Sequence, residues 1–287
     1  MELIAFKKHF FSALSEIYPE TEIQSFFNIL IEFKLHLKRI DAALQPSFEI
    51  ETTALDFLKK ATSDLKSQIP IQYIIGETEF YGLPFYVNKN VLIPRPETEE
   101  LVAWIINDRK AEDSKNSIKI LDIGTGSGCI PISLAKNIPN AEVSSIDISS
   151  EAIKTAEKNA TLNNVDIQFM EADILNTSNL PYIVDVIVSN PPYVREIEKQ
   201  EMQKNVLEYE PQLALFVEDE NPLLFYDKIA DLAKNYLSKN GQLYFEINQY
   251  LGKETVELLK TKGFTTIELK KDLFGVDRMI KASFNNS

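Results

Sequence analysis

Residues 117–137 read SIKILDIGTGSGCIPISLAKN, and the way this stretch divides decides the fold. Its first part is a short apolar run rich in isoleucine, the pattern of a buried strand. Its last part carries apolar residues at helical spacing. Between them Gly124, Gly126 and Gly128 form a strand-to-helix turn. Glycine there admits positive φ and lets a ligand approach the backbone closely. Such turns also arise for packing alone, so the rest of the chain has to arbitrate.

Toward the C-terminus the alternation continues. AEVSSIDI (141–148) reads as a strand, SEAIKTAEKNATLNN (150–164) as a helix, and VDIQFMEAD (165–173) and VDVIVSN (184–190) as strands. NPLLFYDKIADLAKNYLSKN (221–240) is helical, GQLYFEIN (241–248) a strand and YLGKETVELLKTKG (250–263) a helix. TTIELKKD (265–272) and DRMIKASF (277–284) are closing strands. The pattern predicts an α/β fold with a Rossmann-like sheet of seven strands, mostly parallel, and helices on both faces.

Toward the N-terminus the texture differs. Residues 2–67 hold three helical patterns, the clearest marked by Phe26, Leu30, Phe33 and Leu37. PIQYIIGETEFYGLPFYVNKNVLIPRP (70–96) is β-branched and aromatic, broken by Gly76, Gly82 and Pro84, and suggests a hairpin. The helix of PETEELVAWIIN starts on a proline and acidic residues. Expected boundaries are a helical domain over 1–70, a β-hairpin linker over 71–92 and the α/β domain over 93–287.

Composition narrows the function. Net charge is −13 over 287 residues. Residues 1–75 carry ten acidic against eight basic side chains, a net of −2, which leaves −11 for residues 76–287. A broad nucleic-acid footprint needs clustered Lys and Arg, so no direct nucleic-acid partner is expected. One cysteine, Cys129, excludes an internal disulfide, and with two histidines it makes a poor metal inventory. His9 and His36 are expected at the surface and Trp104 in a core stripe. The opening MELIAFKKHFFSALSEIYPE is unlike a signal peptide, and no apolar run approaches the roughly 18 residues needed to span a membrane. A cytoplasmic monomer without a membrane partner is the expectation.

Two motifs carry chemistry. Asp147 ends the second strand, nineteen residues after Gly128, where a carboxylate can accept both hydrogen bonds of a ribose diol. A nucleoside-containing cofactor follows, either a dinucleotide or S-adenosylmethionine. Cys129 stands where the dinucleotide fingerprint has its third glycine, which tilts the choice toward the second. The other motif is NPPY, residues 190–193, at the end of the fourth strand of the alternating region. Ligands bind beyond the carboxyl ends of such strands, so NPPY should face the glycine turn. The Asn190 side-chain oxygen and the Pro191 carbonyl are two acceptors for one planar NH2 group. Pro192 biases Pro191 toward extended backbone, and Tyr193 offers a flat face. A bare strand terminator with a capping Asn is the purely structural reading.

LDIGTGSGC, Asp147 and NPPY together resemble class I S-adenosylmethionine-dependent methyltransferases that act on amino groups. NVLIPRPETEELV, with YIIGETEFYGLPF, LEYEPQLALF and DLFGVDR, resembles more narrowly the release factor glutamine methyltransferases (the HemK/PrmC family) from about Pro70 to the C-terminus. The resemblance implies methylation of the side-chain amide of the glutamine in the Gly-Gly-Gln motif of peptide-chain release factors, with S-adenosyl-L-methionine as cofactor and S-adenosyl-L-homocysteine as product. It implies that Gly124, Thr125, Gly126, Ser127 and Gly128 line the cofactor and that Asp147 holds its ribose. Asp173 and Ile174 would serve the adenine, Ile174 standing where the family often has an aromatic residue. Asn190, Pro191, Pro192 and Tyr193 would bind the glutamine, with Asn190 also at the cofactor. Pro94, Arg95, Pro96 and Glu97 would form a wall over the site, and the 1–70 domain would recognise the substrate. Arg95 could equally form an ion pair with Glu97 or Glu99. A glutamine in a ribosomal protein and an adenine in nucleic acid are the alternative substrates.

Overall fold

The computed structural model describes residues 1–111 and 117–284. In chain order the first helices are α1 (Leu3–Leu14), α2 (Glu20–Leu35), α3 (Arg39–Leu44), α4 (Thr52–Lys66) and α5 (Ile71–Ile75). A hairpin of β1 (Glu77–Phe80) and β2 (Leu83–Tyr86) follows, then α6 (Pro96–Ala111), β3 (Ile118–Ile123), α7 (Cys129–Asn137), β4 (Ala141–Asp147), α8 (Ser150–Asn163), β5 (Gln168–Glu171) and β6 (Val184–Ser189). The remainder is β7 (Val194–Arg195), α9 (Lys204–Tyr209), β8 (Phe216–Val217), α10 (Leu224–Tyr236), β9 (Leu237–Glu246), α11 (Gly252–Thr261), β10 (Thr266–Lys271) and β11 (Asp277–Ser283).

Contacts divide the chain into two compact units. One is Met1–Gly76 together with Gln203–Tyr209, and the other is Glu77–Met202 with the chain from Glu210 on. In the first, α1, α2 and α4 close around Phe6, Phe10, Phe27, Leu30 and Leu58. The buried stripe of α2 is Ile23, Phe27, Leu30 and Ile31, so of the four expected positions only Leu30 is buried. The helix has apolar residues on two sides: Phe26 packs edge-on against Tyr18 and Phe33 tilts against Phe57, both at its margin. It also ends at Leu35, with His36 left-handed at φ 56°, which leaves Leu37 outside. The start of the expected hairpin, residues 71–75, is instead the helix α5, closed by Gly76 at φ 77°.

The second unit is built on a seven-stranded sheet in the order β10-β11-β9-β6-β3-β4-β5. β5, β4, β3, β6 and β9 run parallel; β11 pairs antiparallel to β9 and β10 antiparallel to β11, so among the described strands of this sheet β11 alone runs against the other six. Apolar cores cover both faces, as the near-continuous apolar runs of buried parallel strands require. Ile187 joins the core beside α10 and α11, whereas Val186 and Val188 join that beside α6 and α7. Trp104 lies in the latter, edge-on to Tyr244. The strand expected from Gly241 begins at Leu237. Leu237 pairs with Val184, but Gln242 pairs with Val186, so the intervening residues form a bulge rather than a last helical turn.

The order of strand addition reverses between β3 and β6, which stay parallel: β4 and β5 are added on one side of β3, β6 and β9 on the other. That switch point opens a crevice at the strands' carboxyl ends. The β1–β2 hairpin is tied to this end. Asn159 of α8 exchanges hydrogen bonds with Tyr86 (2.7 and 2.9 Å) and donates to the Ser127 carbonyl at 2.8 Å. Among the described residues no helix is long and apolar enough to cross a membrane.

Candidate active site

Four strands deliver the expected residues to one edge of the sheet. In the turn after β3, the residues alternate between exposed backbone and buried side chains. Gly124 and Gly126 are exposed or half-buried, and a Cβ on Gly126 would meet nothing within 4 Å. Thr125 and Ser127 are buried. The Thr125 hydroxyl contacts Ser145 Oγ at 2.5 Å, and Ser145 donates to Asp122 at 2.6 Å. Thr125 therefore turns its side chain into the core, leaving its backbone for a ligand. Gly128 serves packing: a Cβ there would lie 2.9 Å from Ile132 and 3.1 Å from Ala156.

Asp147 ends β4 with both oxygens placed by backbone. Its Oδ2 accepts from Gly126 N at 2.8 Å and its Oδ1 from Ser149 N at 2.9 Å. Each oxygen keeps a lone pair for a further donor. Burial raises its pKa, and the amides of Gly126 and Ser149 oppose that shift. Beyond β5, Asp173 bonds Leu175 N at 2.9 Å and the Asn176 amide at 2.6 Å, so it closes its own turn, while Ile174 is buried in the core.

Opposite the glycine turn stands the end of β6. The Asn190 carbonyl oxygen is 3.7 Å from where a Cβ on Gly124 would sit. The Asn190 side-chain NH2 donates to Thr98 Oγ1 at 3.3 Å, and Thr98 donates to Glu246 Oε2 at 2.6 Å. The other Glu246 oxygen accepts from Tyr193 Oη at 3.0 Å. Glu246, at the end of β9, is 1% exposed. Burial raises its pKa, against which the Thr98 and Tyr193 hydroxyls and the Arg278 charge act. Burial and then the Glu246 charge push the Tyr193 phenol upward, so it keeps its proton. The Tyr193 ring also packs on the core, and its carbonyl accepts from the Asn248 amide at 2.9 Å.

Arg95 does not pair with Glu97 or Glu99. It binds Glu210 at 2.6 Å, and the second Glu210 oxygen accepts from Ile93 N at 3.3 Å. Glu99 instead accepts from Tyr81 N at 2.7 Å. Glu97 is half-buried, its charge opposing ionisation of Glu246. Sequence reasoning missed Thr98, Glu210, Glu246 and Asn248. A readable signal existed for Glu246, a carboxylate at the carboxyl end of a strand beside NPPY.

Residues 108–212 match the model of the methyltransferase small domain. The chain is 60% identical to a release factor glutamine methyltransferase of Flavobacterium psychrophilum, over 97% of this chain and 98% of that one. It is 40% identical to one of Bacteroides thetaiotaomicron, over 94% and 96% respectively. A 16S rRNA methyltransferase of T. thermophilus, solved with AdoMet and guanosine, shares the fold alone. Its TM-score is 0.52 at 17% identity, covering 73% of this chain and 50% of that one.

Proposed function

The chain belongs to the release factor glutamine methyltransferase family, and we propose that its β3–β6 crevice methylates the Gly-Gly-Gln glutamine of a peptide-chain release factor with S-adenosyl-L-methionine. The observation that carries the reading is the position of NPPY across from the glycine turn, with the Asn190 carbonyl oxygen 3.7 Å from where a Cβ on Gly124 would sit.

The residues fit that cofactor. Gly124 and Gly126 present bare backbone, and Asp147 keeps a free lone pair on each oxygen for a ribose diol. Asp173 is the acceptor on the adenine side, with Ile174 behind it. When bound, the cofactor supplies an electrophilic sulfonium methyl. The protein's part is to make a poor nucleophile react, because an amide nitrogen delocalises its lone pair into the carbonyl. Among the described residues Asn190 Oδ1 and the Pro191 carbonyl accept no hydrogen bond, which leaves both for the two hydrogens of the glutamine NH2. Held so, the nitrogen lone pair is directed for in-line attack. As nitrogen gains positive charge its hydrogens become stronger donors, so the same acceptors bind the transition state more tightly than the ground state. One of these protons would then pass to solvent as the S–CH3 bond is exchanged for N–CH3 and S-adenosyl-L-homocysteine departs. Tyr193, protonated and pinned to Glu246, supports the pocket wall and is no base. Arg95 and Glu97 stand on the substrate side.

The helical segment over residues 1–70 supplies remote contacts to a folded partner, so the intact factor is a far better substrate than a Gly-Gly-Gln peptide. The test is intact-mass and peptide mapping of a release factor incubated with this protein and S-adenosylmethionine. One added methyl on the glutamine is expected; an unmodified factor, or a methyl elsewhere, overturns the reading.

A further inference from the structure

A side-chain amide has an acceptor end and a donor end of almost the same shape. Its function in a site depends on which end faces the ligand. At Asn190 that choice is made by groups far away in sequence. Thr98 has one hydroxyl proton and gives it to Glu246, at 2.6 Å. Toward Asn190 it then has only a lone pair to offer, and it receives the Asn190 NH2 at 3.3 Å. Glu246 acts as acceptor on both oxygens, since Tyr193 donates to the other at 3.0 Å. Thr98 and Glu246 are both buried, so water does not substitute for either partner.

From this geometry we infer that Thr98 and Glu246 are positioning residues that fix the Asn190 amide with its oxygen toward the substrate. The inference rests on the glutamine-methylating reading and goes beyond it, because it names what makes the pocket select an NH2 over a carboxylate. With Oδ1 presented, a glutamine finds acceptors for both its hydrogens, whereas a glutamate brings oxygen against oxygen. Turned the other way, Asn190 would hydrogen-bond a carboxylate and lose the acceptor that orients the amide. A site that leaves a buried polar group mismatched discriminates strongly.

The experiment compares wild type with Thr98→Val, Thr98→Ser and Glu246→Gln. Each is measured for kcat, for cofactor Kd by calorimetry, for melting temperature, and for inhibition by a release factor carrying glutamate in place of the methylated glutamine. Valine keeps the shape of threonine without its hydroxyl, so kcat should fall about 30- to 100-fold with cofactor Kd within about threefold. The ratio of the glutamate factor's Ki to the glutamine factor's KM should fall by about tenfold, and remote contacts cancel in that ratio. Thr98→Ser should restore both to within about threefold of wild type. Glu246→Gln, which lets a donor face Thr98, should behave like Thr98→Val and serves if the valine variant fails to fold. A folded Thr98→Val or Glu246→Gln enzyme with wild-type kcat and an unchanged ratio overturns the inference. So does a Thr98→Ser variant as poor as Thr98→Val, or a loss of kcat matched by lost cofactor binding. Failure of the wild type to methylate the factor sinks the functional reading instead, which keeps the two outcomes apart.

Discussion

The two halves of the crevice are built differently. On the β3–β4–β5 side the groups proposed to face the cofactor are backbone and carboxylates already held by neighbouring amides: Asp147 by Gly126 and Ser149, Asp173 by Leu175. On the β6–β9 side the groups proposed to hold the substrate include side chains held by other side chains, Asn190 by Thr98, Thr98 by Glu246, and Glu246 by Tyr193. Backbone support tolerates substitution nearby because the main chain stays in place. A side-chain relay fails as a unit, since each member leaves the next with an unmatched donor or acceptor.

The sharpest way to break that contrast is Asn190→Ala. Transfer should fall by about a thousandfold or more, roughly 4 kcal/mol of transition-state stabilisation, while cofactor affinity changes by less than about tenfold. A transfer assay with calorimetry measures both, and retained turnover would remove the acceptor side from the chemistry. The next largest effect concerns Asp122, buried beneath the glycine turn. Its Oδ2 accepts from Ser145 and its Oδ1 has no partner among the described residues. Burial pushes its pKa up from 3.8 to about 7. The folded state therefore holds a proton between those values that the unfolded state has released. That contribution to stability is whole below about pH 4 and is lost as pH rises toward 7, on the order of 4 kcal/mol in all. Denaturant titration at pH 5 and pH 8 should show the loss in wild type and much less of it in Asp122→Asn; equal losses would refute the assignment.

Asp147→Ala should weaken S-adenosylmethionine by about 1–3 kcal/mol and leave the unfolding midpoint nearly unchanged, which calorimetry and thermal melts separate. A last comparison distinguishes two glycines of one turn, the smaller effect falling at Gly126. Gly126→Ala meets open space and should cost about 1 kcal/mol of stability for its left-handed backbone. Gly128→Ala adds the collision with Ile132 and Ala156 and should cost about 1–3 kcal/mol more. Equal costs in thermal melts would show that the α7–α8 packing yields freely.

The same contrast explains what was legible in the sequence. The glycine turn, Asp147 and NPPY are compact motifs whose meaning follows from their place at strand ends, and alternating patterns locate those ends. Thr98, Glu210 and Glu246 are single polar residues in unremarkable surroundings, and each acquires its role from a partner about 50 to over 100 positions away. Arg95 shows the failure plainly: its nearby acids, Glu97 and Glu99, looked like partners, but on a helix start they point elsewhere, and Glu210 arrives by tertiary folding. The α2 stripe failed for another reason, since a helix with apolar residues on two sides gives periodicity no single phase.

One detour of the chain has a consequence for how the protein is made. The helical unit is not a contiguous stretch: its last helix, α9, is supplied by residues 203–209, and Tyr209 donates to the Ser67 carbonyl at 2.6 Å. During translation residues 1–76 emerge long before that piece exists, and most of the sheet is synthesised in between. The N-terminal unit thus waits for about 130 further residues before that piece joins it, although every residue of its apolar core lies before Gly76. A genetic cut after Gly76 would leave residues 203–209, which group with the first unit, on the other fragment.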